Sequence, residues 1–111
     1  MPDSDAEYSE RYDAAITATD RELGLLLDAL HRSGQIDRMV VVVTSDHGEE
    51  MGDHGGEGHG TTLYEEVLHV PLLLRVPGLP ARRIDHPVSL VDLVPTLHAA
   101  LALPPPDVNG S

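Results

Sequence analysis

Asp46 and His47 stand side by side in the run Thr44-Ser45-Asp46-His47-Gly48-Glu49. A carboxylate oxygen next to an imidazole nitrogen is a workable donor pair for a divalent metal ion, and Gly48 directly after them lets the backbone come close to a ligand. The same residues in an ordinary strand-to-loop turn would be no more than a solvated acid and imidazole, and spacing alone leaves both readings open. Asp53-His54 and Gly58-His59-Gly60 then bring two further imidazoles, 8 and 13 residues beyond Asp46. A histidine flanked by glycines needs something to hold it, either a ligand or a bound anion; the alternative is a mobile loop with incidental metal affinity. His31, His69, His86 and His98 are scattered and read as surface or structural histidines. Ser45 and Thr44 are the hydroxyls nearest the metal pair, yet neither lies in a G-x-S-x-G elbow, and no G-x-x-x-x-G-K-[ST] phosphate loop is present. Local chemistry therefore offers a metal pair without a nucleophile.

Residues of this kind act only if rigid elements aim them. Met39–Thr44 is an unbroken apolar, mostly β-branched run, the pattern of a strand covered on both faces in a parallel sheet. Ligands of open α/β sheets bind at the carboxyl ends of strands, which is where Asp46 and His47 fall. Neighbours on a strand point to opposite faces, so both could turn to one ion only beyond its end. Ahead of the strand, Tyr12, Ile16, Leu23, Leu26, Leu27 and Leu30 recur at helical spacing and predict a helix over residues 6–33, opened by the capping-box pair Ser4 and Glu7 and stopped at Gly34. Gly24 inside it costs about 1 kcal/mol against Ala, an expense that close packing would explain. Residues 45–60 hold six glycines and three histidines and cannot be regular throughout. A short helix is expected within Thr61–Leu68. A second apolar strand is expected over Val70–Val76, at an edge or pairing only after Pro71, which has no amide donor. Pro77-Gly78 is a turn. Ser89 with Asp92 suits a short helical turn, and Pro95 suits the first position of a helix reaching about Ala102. Pro104–Ser111 is extended and reads as a chain interrupted within a loop. A helix leading into a buried strand is half of an α/β repeat, and no internal repeat is visible.

Composition bounds the rest. The 111 residues suffice for one modest domain. The apolar share is 41%, but there is no Phe or Trp, so a core must be built from aliphatic side chains that each bury less area than an aromatic. Nineteen acidic against seven basic residues, a formal charge of −12, argue against a nucleic-acid or anionic-membrane surface. The absence of cysteine excludes disulfides and thiolate ligands within these residues. No apolar stretch reaches the roughly 18–20 residues of a membrane span, and the acidic Met1-Pro2-Asp3-Ser4-Asp5 is unlike a secretory signal.

The ordered series of motifs resembles the sulfatases of the alkaline phosphatase superfamily. Tyr12-Asp13-Ala14-Ala15-Ile16 and Asp20-Arg21-Glu22-Leu23-Gly24 look like the helix preceding the family's second metal segment, and Val41–Glu49 looks like that segment. Gly52-Asp53-His54-Gly55, Leu63-Tyr64-Glu65-Glu66, Val70-Pro71-Leu72-Leu73 and Pro77-Gly78 match the stretch beyond that segment, and Val88–Leu97 resembles a later helix. The resemblance covers nearly all of the chain. It implies an α/β fold, part of an alkaline-phosphatase-like three-layer sandwich with a mainly parallel sheet, with residues 1–111 forming part of one catalytic domain. It also implies hydrolysis of sulfate esters by a formylglycine nucleophile, assisted by a divalent cation, usually calcium, acting as a Lewis acid. Asp46 and His47 match the second pair of metal ligands. Many relatives carry Asn at position 47, and the imidazole here suits manganese or zinc better than calcium, which prefers oxygen. His59 stands where relatives commonly have a lysine contacting the sulfate and the leaving group; as imidazolium it could bind the anion or protonate the leaving oxygen, and an imidazole titrates near neutral pH where lysine does not. Relatives are often extracytoplasmic.

The departures matter equally. The formylglycine motif, the other aspartate pair and a mid-domain histidine are missing, and in the family they lie upstream of the helix that begins this chain. The expectation is a sequence truncated at both ends and, for these 111 residues alone, no turnover. Superfamily phosphodiesterases, phosphonate monoester hydrolases and phosphoethanolamine transferases share the metal segment and often carry histidine at the position of His47, so a phosphate-ester enzyme is the alternative. A catalytically inert metal-binding remnant is the other.

Overall fold

A computed structural model describes residues 5–106. The chain divides into two compact units, Met1–Pro77 and Gly78–Ser111. Helix α1 spans Asp5–Arg32, strand β1 Val41–Thr44, β2 Glu50–Met51, β3 Glu57–Gly58, helix α2 Glu65–Leu68, β4 Leu72–Arg75 and helix α3 Leu93–Ala100, with 3-10 turns at Ile36–Arg38 and Leu90–Asp92. Among the described residues no helix is long and apolar enough to cross a membrane.

The first unit opens with the expected long helix; Ser4 of the expected capping box lies outside the described residues. Its end is set by Gly34, whose φ of +67° is left-handed. Gln35 N–H donates to Leu30 O and Gly34 N–H to His31 O, each at 3.0 Å, so two of the last carbonyls are satisfied in a Schellman arrangement. The 3-10 turn then feeds β1, and the Arg75 guanidinium from β4 closes over it, donating to Ile36 O at 2.5 Å and Met39 O at 2.9 Å.

Strand β1 pairs with β4 antiparallel, Val41 opposite Arg75 and Thr44 opposite Leu72. The all-aliphatic run points to parallel neighbours; in the described residues the partner is antiparallel and β1 is only half-buried along Val41–Val43. A β-branched run reports that both faces want cover, not which way the partner strand runs. The mixture of helices and strands is α/β in composition, and β4 begins just after Pro71 as its missing donor requires. The second antiparallel pair, Glu50 opposite Gly58 and Met51 opposite Glu57, makes residues 50–58 a hairpin.

Burial is thin. Among the described residues Ile36 at 9% exposure, Val67 at 5% and Glu50 at 2% are the buried ones, whereas Ile16, Leu26, Leu73 and Leu74 of α1 and β4 are exposed. The apolar stripe of α1 is where periodicity places it, but it is only partly covered: Leu23, Leu27 and Leu30 are half-buried, and Tyr12, Ile16 and Leu26 are exposed. Gly24 likewise is not a packing contact: a Cβ there would meet nothing within 4 Å.

In the second unit Asp92 N–H donates to Ser89 O at 3.0 Å, forming the expected turn, although the Ser89 side chain does not cap it. Helix α3 starts at Leu93, two residues before the expected start at Pro95. The first four helical amides have no intrahelical acceptor, so a proline in the third position loses nothing there. Asp107–Ser111 of the expected extended end lie outside the described residues.

Two glycines in the first unit give opposite expectations. Replacing Gly24 by Ala adds helix propensity without a clash and should raise unfolding stability by about 0.5–1 kcal/mol, whereas Gly34→Ala forces a left-handed alanine and should lower it by about 1–2 kcal/mol. Urea denaturation of both variants checks the pair of signs.

Candidate metal centre

Strand β1 ends at Thr44 and the chain turns at Ser45, whose hydroxyl donates to His47 O at 2.6 Å. That bond commits Ser45 to shaping the turn, in keeping with its lack of a nucleophile pattern. The Asp46 carboxylate caps the next amide, accepting from His47 N–H at 3.1 Å, and its side chain is 90% exposed. His47 Nδ1 lies 2.8 Å from Gly48 O. A carbonyl only accepts, so Nδ1 carries the proton and Nε2 is left as a lone-pair donor. This is the arrangement that metal-ligating histidines use, one ring nitrogen given to a carbonyl and the other to the ion.

Nε2 of His47 lies 3.8 Å from Asp46 Oδ1. Donors that each sit roughly 2.1 Å from one ion can be at most about 4.2 Å apart, so the two atoms can share a divalent cation as they stand. The residues present fit such an ion. They supply one oxygen and one nitrogen, and the imidazole favours a borderline transition ion over calcium.

The segment is pinned from behind. Gly48 N–H donates to Val67 O at 2.7 Å and Glu49 N–H to Glu66 O at 3.1 Å, both on α2. The approach is so close that a Cβ on Gly48 would lie 1.9 Å from Glu66 O. The glycine that sequence reasoning assigns to ligand approach is thus needed for helix approach.

The hairpin formed by β2 and β3 carries the third candidate back to the metal pair. Buried Glu50 accepts from Gly56 N–H at 3.1 Å and from the Thr62 hydroxyl at 2.8 Å, tying both sides of the loop to one carboxylate. His59 leaves β3 and stacks on His47, ring centroids 3.7 Å apart and planes 25° from parallel. Its Nδ1 lies 3.0 Å from Glu49 Oε2, while Glu49 Oε1 accepts the Tyr8 hydroxyl of α1 at 2.6 Å. All three sequence-predicted residues therefore come together at the end of β1. Donor atoms of His47, Glu49 and His59 also lie within 4.8 Å of one another, a set that does not include Asp46.

Sequence reasoning does not single out Glu49 or Tyr8. Glu49 lies two residues beyond His47 inside the same run, which is a usable signal; Tyr8 is 41 residues away and gives none. A second donor group, Glu50, His54 and Glu66, also gathers within 4.8 Å. There His54 Nδ1 is 2.6 Å from Glu66 Oε1 and its ring stacks on Tyr64 at 3.7 Å, so the other loop histidine is held by protein groups.

The Tyr8–Glu49 bond shifts both partners consistently. The phenol's hydrogen bond, with lesser help from His59, holds the Glu49 carboxyl below its ordinary range, and the same bond raises the Tyr8 phenol. A lowered carboxyl stabilises the fold above the ordinary carboxylate value, roughly 4.3, and that contribution is lost as pH falls through the lowered folded value. A raised phenol contributes below the ordinary tyrosine value and loses it as pH climbs through the raised one. The two windows overlap across neutral pH. In Tyr8→Phe the Glu49 carboxyl should titrate at higher pH than in the parent chain, tracked through its side-chain carbon resonance.

Known proteins carry the same segment. The family model described as Sulfatase matches residues 2–103. Arylsulfatase K of Mus musculus is 40% identical over 97 residues, 85% of this chain and 17% of that protein. The uncharacterized sulfatase YidJ of Escherichia coli is 35% identical, over 87% of this chain and 19% of its own. The N-acetylglucosamine-6-O-sulfatase of Bacteroides thetaiotaomicron is 34% identical over 108 residues, 95% of this chain and 19% of that protein. The chain thus spans less than a fifth of the length of these curated relatives. No solved structure matches it. With a family match over nearly its whole length and relatives above 30% identity, the chain belongs to the sulfatase family.

Proposed function

We propose that this chain carries part of the divalent-metal site of a sulfuric ester hydrolase, with Asp46 and His47 as metal ligands and His59 facing the sulfate or its leaving oxygen. The observation that carries the reading is His47: its Nδ1 is taken by Gly48 O, and its Nε2 is left beside Asp46 Oδ1 at the carboxyl end of β1. A bound divalent ion would supply Lewis-acid polarisation of the ester and of the nucleophile. Asp46 offers an exposed carboxylate and His47 an oriented nitrogen, while His59 adds a second ring that can hold an anion or pass a proton.

The wider architecture proposed with it is the alkaline-phosphatase-like three-layer sandwich with a mainly parallel sheet, in which the β1–β4 pair would be an antiparallel part. The partly exposed stripe of α1 and the outer faces of β1 and β4 suit cover by further layers, and over four-fifths of each relative lies outside the matched segment. A phosphate-ester enzyme of the same superfamily is the second reading. The imidazole of His47, in place of a commoner asparagine, favours it, whereas the names of the relatives favour sulfate. Calcium is the family's usual ion, and His47 favours manganese or zinc.

These 111 residues hold no nucleophile pattern, and Asp46 and His47 supply two donors between them. Catalytic parts act as a unit, so the remainder does not compensate for those absent. Calorimetry of the chain with Mn2+ or Zn2+ should detect one site that weakens about tenfold or more in Asp46→Ala and in His47→Ala; equal binding in both variants would remove them from the ligand set. Incubated with an aryl sulfate, the purified chain should give only background release, and turnover abolished by Asp46→Ala would overturn that expectation.

A further inference from the structure

At the end of β1 the Glu49 side chain is 12% exposed, against 49% for His59 and 90% for Asp46. Both of its oxygens are committed. Oε1 receives the Tyr8 hydroxyl at 2.6 Å, which leaves Oε2 for His59 Nδ1 at 3.0 Å. Its own backbone is fixed by the bond from Glu49 N–H to Glu66 O. An ionised carboxylate only accepts, so whatever bonds to Oε2 must bring the proton.

From this we infer that Glu49 is a positioning residue for His59, holding the ring in the orientation that keeps the proton on Nδ1 and presents Nε2 outward. The inference rests on the reading of His59 as the group that faces the sulfate. Two restraints act together. The stacked ring of His47 fixes the plane of His59, and Glu49 fixes which edge of that plane points inward. Neither restraint alone is sufficient, because a stacked imidazole can still turn over in its own plane, and a single hydrogen bond leaves the ring free to swing about it. The same edge is selected in the neutral and in the protonated ring, since Nδ1–H is donated in both. Nε2 is then the ring atom left to meet a ligand, as a lone pair in one state and a donor in the other. Tyr8 extends the restraint to α1: without its hydroxyl the carboxylate can rotate, and the choice between its two oxygens is lost.

The test uses the full 111-residue chain labelled with 15N, in buffer about two units above the ordinary imidazole value, and reads the two ring nitrogens of His59 by long-range 1H–15N correlation. The expected spectrum shows Nδ1 protonated and Nε2 bare. Glu49→Ala should lose that pattern, and Glu49→Gln, which keeps an acceptor oxygen, should restore it; the amide spectrum of residues 64–68 reports whether each variant keeps the fold. Inorganic sulfate added at neutral pH should move Nε2 more than Nδ1. A bare Nδ1 in the parent chain, or a protonated Nδ1 that survives in a folded Glu49→Ala, overturns the positioning role whatever sulfate does. A Glu49-dependent pattern with an Nε2 that ignores sulfate leaves that role standing and removes His59 from the substrate side.

Discussion

Two backbone hydrogen bonds, Gly48 N–H to Val67 O and Glu49 N–H to Glu66 O, hold the loop after β1 against α2, and the rest of the site depends on them. They exist because residue 48 has no side chain. A Cβ would overlap Glu66 O, and the backbone would have to back away, carrying Glu49 with it. Glu49 is the residue from which the other contacts hang: Tyr8 reaches it from α1 and His59 from the hairpin. A single close approach between two short backbone segments thus sets the position of a carboxylate, and the carboxylate sets the position of an imidazole.

The hairpin reaches its place by a parallel device. Glu50 is 2% exposed and spends its oxygens on Gly56 N–H and the Thr62 hydroxyl. A carboxylate out of water has to be saturated with hydrogen bonds, and here the saturation is what brings the loop's two sides together. Residue 56 must be small for this, because a Cβ there would come within 2.6 Å of Glu50 Oε1. The glycine-rich stretch is therefore not loose. Gly56 makes room for Glu50, which organises the loop, and the adjacent Glu49 meets the histidine that the loop delivers.

The range of each interaction decides how much of this is legible in the sequence. The helix expected over residues 6–33 is α1 at Asp5–Arg32, because apolar spacing and the Gly34 stop are local signals. The aliphatic run forms β1, and β4 starts at Leu72, two residues past the expected Val70 and directly after Pro71. Asp46 and His47 fall at the strand end, since a strand ending in a turn is also a local pattern. Strand direction is not legible: Val40–Val43 encode a need for cover, while the antiparallel register with Leu72–Arg75 is a property of the pair. The close packing suggested by Gly24 has no counterpart in the described residues. Tyr8, 41 residues from Glu49 and placed within an ordinary helix start, carries no trace of its role. Glu49 is within reach of sequence reasoning, since an acid two residues beyond a candidate ligand histidine can face the same side. Its neighbours Asp46 and His47 mask it, because a metal pair accounts for the run without calling on an acid that orients another residue.

The electrostatics of the site show why the pieces must be arranged so locally. A sulfate ester is an anion, and the chain has a formal charge of −12. At physiological salt, charges beyond about 8 Å are largely screened, so the overall excess matters less than Asp46, Glu49 and whatever positive charge lies beside them. Glu49 already accepts from a phenol and lies against an imidazole. Asp46 is open, and its charge would repel a sulfate unless a divalent cation sat on it. On the proposed reading the acidic side chains at the end of β1 favour a cation first and the anion only through it, with His59, stacked on His47, placed to carry positive charge toward a sulfate. An imidazole there carries positive charge only while protonated, and on the proposed reading it does so from a fixed edge, which makes the half-buried Glu49 carboxylate behind it part of the site as much as the donors in front.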